Sequence, residues 1–352
     1  MRPEPRSAPR RVMPWGEIPR GSFPGDGLAV IDKDPGVTSH DVVGAVRRLA
    51  GTKKVGHAGT LDPMATGVLC IGLGRATKLL RYVTGTAKEY EATIRFGIET
   101  STEDAQGELV RARGAREADA AELARAMANL TGDVLQVPSS VSALKVEGRR
   151  AYDLVREGRE VVLDARPIRV DVFEAVGGPR FAEACGAPVF DLDVRVVCGA
   201  GTYVRALARD LGEALGFGAH LTSLRRTRVG PWDVGEAVSV RECADAVEAD
   251  GQMPVHTLAD LCRAMFPALE VGAGAARDLR MGRFVSADSA SDVVGVKAAG
   301  ATGCGAPVSG PDGRGSGSAV AVAWSDGTPV ALVSRRGGRV KPDLLLTLAS
   351  EE

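Results

Sequence analysis

Neither sign of charge dominates this chain. Its 44 Lys and Arg residues face 45 Asp and Glu, a formal net charge of -1. No molecule-wide field draws a polyanion, so any nucleic-acid contact must come from local basic clusters. The six cysteines (Cys70, Cys185, Cys198, Cys243, Cys262, Cys304) include no CxxC pair, and the four histidines form no ligand-spaced set. That excludes the common zinc and dithiol motifs, so no metal is expected, and it reads as reduced, mostly buried thiols in a cytosol. No run of about 18 apolar residues occurs, which argues against a membrane-spanning helix. Residues 1–26 are rich in Pro and Arg and lack the apolar core of a secretory signal. They are expected to form a disordered tail, with Met13 an alternative start. Gly72-Leu73-Gly74-Arg75-Ala76-Thr77 lacks the third glycine and the lysine of phosphate-binding loops, so no nucleotide cofactor is expected.

What is present concentrates in Gly56-His57-Ala58-Gly59-Thr60-Leu61-Asp62-Pro63-Met64-Ala65-Thr66-Gly67-Val68-Leu69. Gly56, Gly59 and Gly67 allow backbone angles and close approaches that a side chain would block, and Pro63 stiffens the residue after the acid. Such a loop holds Asp62 in a fixed place at a strand entrance. An isolated Asp-Pro is more often only a turn.

Around this loop the chain reads as strands and helices. Residues 28–33 form a short buried strand, and Asp34-Pro35-Gly36 turns it toward a helix capped at Thr38, with Val42, Val43, Val46 and Leu49 at helical spacing. Arg47, Arg48, Lys53 and Lys54 usually mean a solvated face, and their place just before Asp62 also suits phosphate contact. From Lys88 to Gly97, Tyr90, Ala92, Ile94 and Phe96 alternate with Glu89, Glu91, Thr93 and Arg95, the pattern of a half-buried strand in which Tyr90 is by spacing a core aromatic. Residues 99–116 read as a surface loop, 117–130 as a helix, and 168–175 and 189–197 as strands. Asp191 and Asp193 fall on the solvent face of the last, with no third metal ligand. Val204, Leu207, Ala208, Leu211 and Leu215 form the apolar stripe of a further helix, which places Tyr203 and Arg205 at its first turn. Lys145, Arg149 and Arg150, and later Arg225, Arg226 and Arg228, are additional candidate phosphate contacts, and Tyr152 opens a helix-like 151–157.

Together these strings resemble the TruB-type pseudouridine synthases, which isomerise a uridine in the T-loop of tRNA. The resemblance rests on Gly56 to Leu69, Lys88-Glu89-Tyr90, Ser142-Ala143 with Lys145, Gly201-Thr202-Tyr203-Val204-Arg205 and Gly218 to Arg226, and it covers roughly 27–230. Two segments depart from the family pattern. Lys33-Asp34-Pro35-Gly36 replaces the usual Lys-Pro-x-Gly, and the segment from Pro138 lacks the family's second proline and its tyrosine.

The resemblance implies an α+β pseudouridine synthase fold, with a mixed, mostly antiparallel sheet flanked by helices over residues 27–252. It implies that Asp62 acts on a flipped-out uridine at tRNA position 55, either as nucleophile or as the base that removes a ribose proton. Tyr90 stacks on the uracil, Arg205 pairs with Asp62, His57 helps displace the base, Tyr203 shapes the pocket or shuttles a proton, and Leu224 lines it. Lys33, Gly59 and Thr60 join the substrate-binding set. The implied partner is the T-arm of tRNA. The implied enzyme is a cytoplasmic monomer that needs no cofactor and no protein partner.

Past residue 253 the resemblance is looser and suggests a PUA-like RNA-binding domain at 253–352, with Arg335, Arg336, Arg339 and Lys341 facing RNA. A Gly-, Ala- and Ser-rich flexible insert spans 286–318, and strands follow with Ser325-Asp326-Gly327-Thr328 as a hairpin turn. Two other readings stay open: a guide-RNA-dependent relative sharing the aspartate loop, and a tRNA-folding chaperone with incidental catalysis. Activity of the isolated chain on bare tRNA separates the first, and tolerance of Asp62→Asn in cells separates the second.

Overall fold

The computed structural model describes residues 12–23, 25–116, 119–139, 163–286, 320–336 and 338–347, together with the backbone of 145–146 and 149–150. The expected helix at 151–157 and almost all of the insert at 286–318 lie outside the described residues.

The first strand, β1 (Gly27–Lys33), is apolar from Leu28 to Ile31 because both of its faces are covered. Ala29 and Ile31 enter one core and Leu28 and Val30 a second. Helix α1 (Ser39–Leu49) starts at a capping box, in which Thr38 Oγ1 accepts from Asp41 N at 3.1 Å and the Asp41 carboxylate accepts from Thr38 N at 2.8 Å. Strands β2 (Val55–Ala58) and β3 (Thr66–Leu73) bracket the Asp62 loop. They are followed by the short α2 (Leu80–Gly85), β4 (Lys88–Phe96), and a hairpin of β5 (Ile98–Thr100) and β6 (Leu109–Ala112). Helix α3 (Ala120–Asn129) is capped by the Asp119 carboxylate and leads to β7 (Gly132–Gln136) and the two-residue strands β8 (Lys145–Val146) and β9 (Arg149–Arg150). Strands β10 (Arg166–Ala175), β11 (Arg180–Ala184) and β12 (Ala187–Cys198) precede helix α4 (Val204–Ala214). Then come β13 (Ala219–Val229), β14 (Trp232–Asp233), helix α5 (Val240–Asp250), β15 (His256–Thr257) and helix α6 (Leu258–Met265).

The main path of the large sheet runs β15-β1-β3-β13-β4-β12-β10-β7. Among its paired strands in the described residues only β3 and β13 run parallel, so the sheet is mixed and mostly antiparallel and the fold class is α+β. The parallel contact is tight. Gly67 has φ +96°, and a Cβ there would lie 2.2 Å from the carbonyl oxygen of Arg226. We expect Gly67→Ala to cost about 3 kcal/mol or more, read as a lower thermal midpoint; an unchanged midpoint would show that the two strands part easily.

On β4 the alternation is as the sequence predicts. Tyr90, Ala92, Ile94 and Phe96 face the core under α1, α4 and α5, while Glu89, Thr93 and Arg95 face the other side. There the charges compensate one another: Arg95 with Asp191, Arg180 and Thr93 with Asp193, and Arg195 and Arg228 with Glu89.

Three expectations change. Residues 12–23, assigned to a passive tail, lie against α1: Trp15 is buried in the first core, Arg48 donates to Ile18 O, and Phe23 N donates to Ala50 O. Hydrophobic burial of one aromatic and main-chain pairing order a segment whose composition alone looks unfoldable. The boundary at 252/253 also shifts, because β15 pairs with β1 through Gly27↔Thr257, so the chain leaves the large sheet only after Thr257. Finally, residues 99–116 hold a hairpin whose turn points inward, as described below.

The rest of the chain forms a second sheet. It comprises β16 (Ala268–Glu270), helix α7 (Ala273–Arg280), β17 (Val285–Ser286), β18 (Val320–Ser325), β19 (Thr328–Arg336) and β20 (Arg339–Leu345), with strand order β16-β18-β19-β20-β17. Asp326 and Gly327 both have positive φ, as the expected two-residue hairpin turn requires. Helix α6 and Val322, Trp324 and Leu332 of this sheet share the second core with Leu28, Val30 and Val68, so the small sheet packs on the back of the large one.

Candidate active site

The Asp62 loop spans the gap between β2 and β3 and is fixed by its neighbours in the fold. Ser39, the first residue of α1, accepts from Leu61 N at 2.9 Å and donates back to Leu61 O at 3.2 Å. Gly36 N donates to Pro63 O at 2.7 Å, and Leu61 and Ala65 are buried in the first core. The turn after β1 and the cap of α1 therefore hold the loop from outside it.

Lys33 belongs to the same scaffold. The resemblance placed it on the substrate, but it is 1% exposed, and Nζ donates to Asp34 O at 2.9 Å, Val37 O at 2.8 Å and Pro63 O at 3.3 Å. No donor is left for a ligand. Burial lowers its pKa from 10.5 to about 8. We expect the turnover rate to fall as pH rises through about 8, because a neutral amine has one donor fewer than the three carbonyls need. Stability does not fall in that window. The folded value lies below the unfolded one, so the unfolded chain binds more protons between the two, and the group's contribution to stability rises with pH there. A pH–rate profile flat across this range would rule out Lys33 as a loop tether sensitive to its proton.

Arg205 closes the site from the opposite side. It sits in the first turn of α4, 4% exposed, and its fork holds both oxygens of Asp62, Nε to Oδ2 at 2.9 Å and Nη2 to Oδ1 at 3.1 Å. Nη1 donates to Thr102 O at 2.8 Å and to Ser139 Oγ at 3.0 Å. The buried Asp104 carboxylate lies 3.8 Å from Nε. The Asp62 side chain keeps 35% exposure, so this pair presents one partly open carboxylate against a buried cation. Tyr203 is the N-cap residue of α4, and the cap is not made by its side chain. Instead the Gln136 amide accepts from Tyr203 N at 2.9 Å and donates to Tyr203 O at 3.1 Å, which fixes the start of the helix that carries Arg205.

Cross-strand register forms one wall. Leu224 pairs with Ala92 and Arg226 with Tyr90, so Leu224, Arg226 and Tyr90 share the face toward the Asp62 loop. Tyr90 is buried, and burial raises its pKa. His57, on β2, is half-buried, and burial, then the charges of Arg226 and His40, lower its pKa, so the ring is neutral at pH 7. Gly59 has φ +81° and Thr60 is exposed at the rim.

The phosphate candidates divide. Lys53 and Lys54 are exposed. Arg225 points to the face away from Asp62 and holds Asp32 at 2.7 Å, while Arg226 is 1% exposed. A strand's period of two puts neighbours on opposite faces, so Arg226 is walled off from phosphate while Arg225 stays partly exposed beside Asp32. The side chains of Lys145 and Arg149 lie outside the described residues. Among the described residues no group of three or more His, Cys, Asp or Glu is arranged to hold a metal.

Sequence reasoning missed Asp104, Thr102 and Ser139, which all converge on Arg205, and Gln136. Asp104 stood in a loop read as solvated. Its signal was local: Asp104 Oδ1 accepts from Thr102 Oγ1 at 2.6 Å and from Gln106 N at 3.0 Å, a self-bonded turn that an unordered polar loop would not need.

Comparison with known proteins accords with this arrangement. Residues 47–204 match the TruB family pseudouridylate synthase N-terminal domain, and 205–268 the tRNA pseudouridylate synthase B C-terminal domain. The chain is 46% identical over 326 residues to tRNA pseudouridine synthase B of Arthrobacter sp. (strain FB24), covering 93% of this chain and 98% of that protein. It is 51% identical over 270 residues to the protein of the same name from Mycobacterium leprae (strain TN), covering 77% and 83%. Two solved structures share the fold. A Cbf5-Nop10-Gar1 complex matches at 22% identity and TM-score 0.65 over 92% of this chain and 85% of that one, and an H/ACA RNP bound to a substrate RNA containing 2'-deoxyuridine at 21% and 0.63 over 91% and 85%. With the two domain matches meeting at the Arg205 that faces Asp62, and relatives similar over nearly the whole length, the chain belongs to the TruB family of pseudouridylate synthases.

Proposed function

We propose that this chain isomerises uridine to pseudouridine at position 55 in the T-loop of tRNA, with Asp62 as the group that acts on the flipped-out nucleoside. The observation that carries this reading is the partly open Asp62 carboxylate held on both oxygens by buried Arg205. Such a carboxylate is fixed and aimed, as a nucleophile or base must be. The reaction breaks the bond between uracil N1 and the ribose, turns the base, and rejoins it through C5, whose proton then leaves. There is no net redox change, so the chemistry needs no cofactor. Flipping is required because the reacting atoms lie inside the stacked loop.

Tyr90 stacks on the extruded uracil, Leu224 lines the apolar side of the pocket, and His57, neutral at working pH, helps displace the base and fills its place. Tyr203, Gly59 and Thr60 form the rim. Lys53 and Lys54 are placed for phosphates of the T-arm, and Arg335, Arg336, Arg339 and Lys341 on the small sheet extend the RNA surface. The exposure of Lys53, Lys54, Arg335, Arg336 and Arg339, with Lys341 half-buried, supports that reading. The names of the relatives point to tRNA as substrate. We place the enzyme in the cytoplasm, acting as a monomer, and among the described residues no helix is long and apolar enough to cross a membrane.

The test is tritium release from C5-labelled uridine in an unmodified tRNA transcript. Release by the purified chain alone is expected, and its loss when only the target uridine is replaced would fix the position. No release without an added guide RNA would favour the guide-dependent kind of synthase suggested by the ribonucleoprotein neighbours.

A further inference from the structure

Arg226 is the largest side chain in the fully buried interior, at 1% exposure, and among the described residues it has no carboxylate partner. A buried guanidinium without a counter-ion is costly unless its donors are used. Here they are spent on the catalytic apparatus. Nε donates to Val68 O at 2.7 Å, just past the Asp62 loop, and Nη2 donates to Gly59 O at 3.2 Å, just before it. Tyr90 stands opposite Arg226 across the strand pair, and the guanidinium is among the charges that act on its hydroxyl. The backbone repeats the pattern, since Arg226 pairs with Gly67 on β3 and with Tyr90 on β4. One planar cation thus spans both ends of the aspartate loop and the tyrosine that faces it. Gly59 is open toward it, with a Cβ there 3.6 Å from Nη1.

We infer that Arg226 is a positioning residue for the reaction, clamping Gly59 and Val68 at the two ends of the Asp62 loop and orienting Tyr90 through its hydroxyl, rather than a contact for RNA phosphate. This rests on the reading of Asp62 and Tyr90 as the reacting and stacking groups. A lysine has the charge but not the fork, so it cannot serve Val68 O and Gly59 O together as Nε and Nη2 do. The neighbouring buried cation, Lys88, does not substitute, because its Nζ is bonded to Thr84 O and Thr86 O.

The test compares wild type, Arg226→Lys, Tyr90→Phe and the double variant on unmodified tRNA transcript. It reads single-turnover pseudouridine formation, tRNA affinity across salt, and thermal midpoint. Wild-type activity secures the underlying reading first, so an inactive wild type refutes that reading and not this one. For Arg226→Lys we expect a rate loss of roughly 10- to 100-fold, the scale of one or two charge-assisted hydrogen bonds. Affinity stays within about twofold and the salt slope is unchanged, whereas removing a phosphate contact lowers that slope by about one. In the Tyr90→Phe background the same change costs several-fold less, because the shared hydroxyl is already gone. A wild-type rate, a loss confined to affinity with a shallower salt slope, or fully multiplicative losses in the double variant would each overturn the inference. If Arg226→Lys does not fold, Arg226→Gln, which keeps a planar donor, is read by the same rate and salt criteria.

Discussion

Asp62→Asn abolishes pseudouridine formation, by at least about 10⁴-fold in single turnover, while tRNA affinity stays within a few-fold of wild type. Asn has nearly the same shape but is neither a carboxylate nucleophile nor a base. The substitution is clean because Arg205 does not depend on Asp62 for its place: Thr102 O, Ser139 Oγ and Asp104 hold the guanidinium from the other side. The loop does not depend on the carboxylate either, since Ser39, Gly36 and Lys33 bond its backbone at Leu61 and Pro63. The measurement is tritium release from C5-labelled transcript beside a filter-binding isotherm. Substantial release by the variant would remove Asp62 from the chemistry. Lost binding with an intact fold would mean that the carboxylate serves recognition.

Arg205→Lys is the second large effect, and it reaches stability as well as rate. The fork serves both Asp62 oxygens, Thr102 O and Ser139 Oγ at once. An ammonium on a flexible stem cannot reach that plane of acceptors. Asp104, buried beside the pair, would keep only part of its compensating charge. A buried acid left partly uncompensated and two acceptors left unserved cost about 2–4 kcal/mol of stability. The single-turnover rate falls by roughly 10²- to 10³-fold, since Asp62 is no longer aimed. Thermal unfolding and single-turnover kinetics on one preparation check both. A normal rate with a lowered midpoint would make Arg205 a structural residue alone, and a normal rate and midpoint would refute the pairing as functional.

Several parts of the site were legible from local pattern. The glycines and Pro63 around Asp62 announce a rigid loop, because they act through each residue's own backbone freedom. Strict alternation from Lys88 to Phe96 fixes which residues share Tyr90's face, since a strand's period is two. The cap at Thr38 and the apolar stripe behind Arg205 locate α1 and the first turn of α4 for the same kind of reason. The uninterrupted apolar run of β1 signals burial on both faces, although it cannot say against what.

What the sequence by itself determined is therefore local: a fixed acid in a stiff loop, an aromatic on a known face of a strand, and an arginine at a helix start. Tertiary structure decided which of these meet and what each charged group is for. Asp62 and Arg205 are separated by 143 positions and Arg226 and Gly59 by 167, and no periodicity reaches across such distances. Arg225 and Arg226 look alike in the chain, yet one faces Asp32 across the outer surface and the other is walled in behind the Asp62 loop. The alternation could predict that they diverge, but only the parallel pairing of β13 with β3 put Arg226 inside. Asp104 and Lys33 changed meaning likewise, because burial and hydrogen-bond partners are properties of the packed chain and not of the residue.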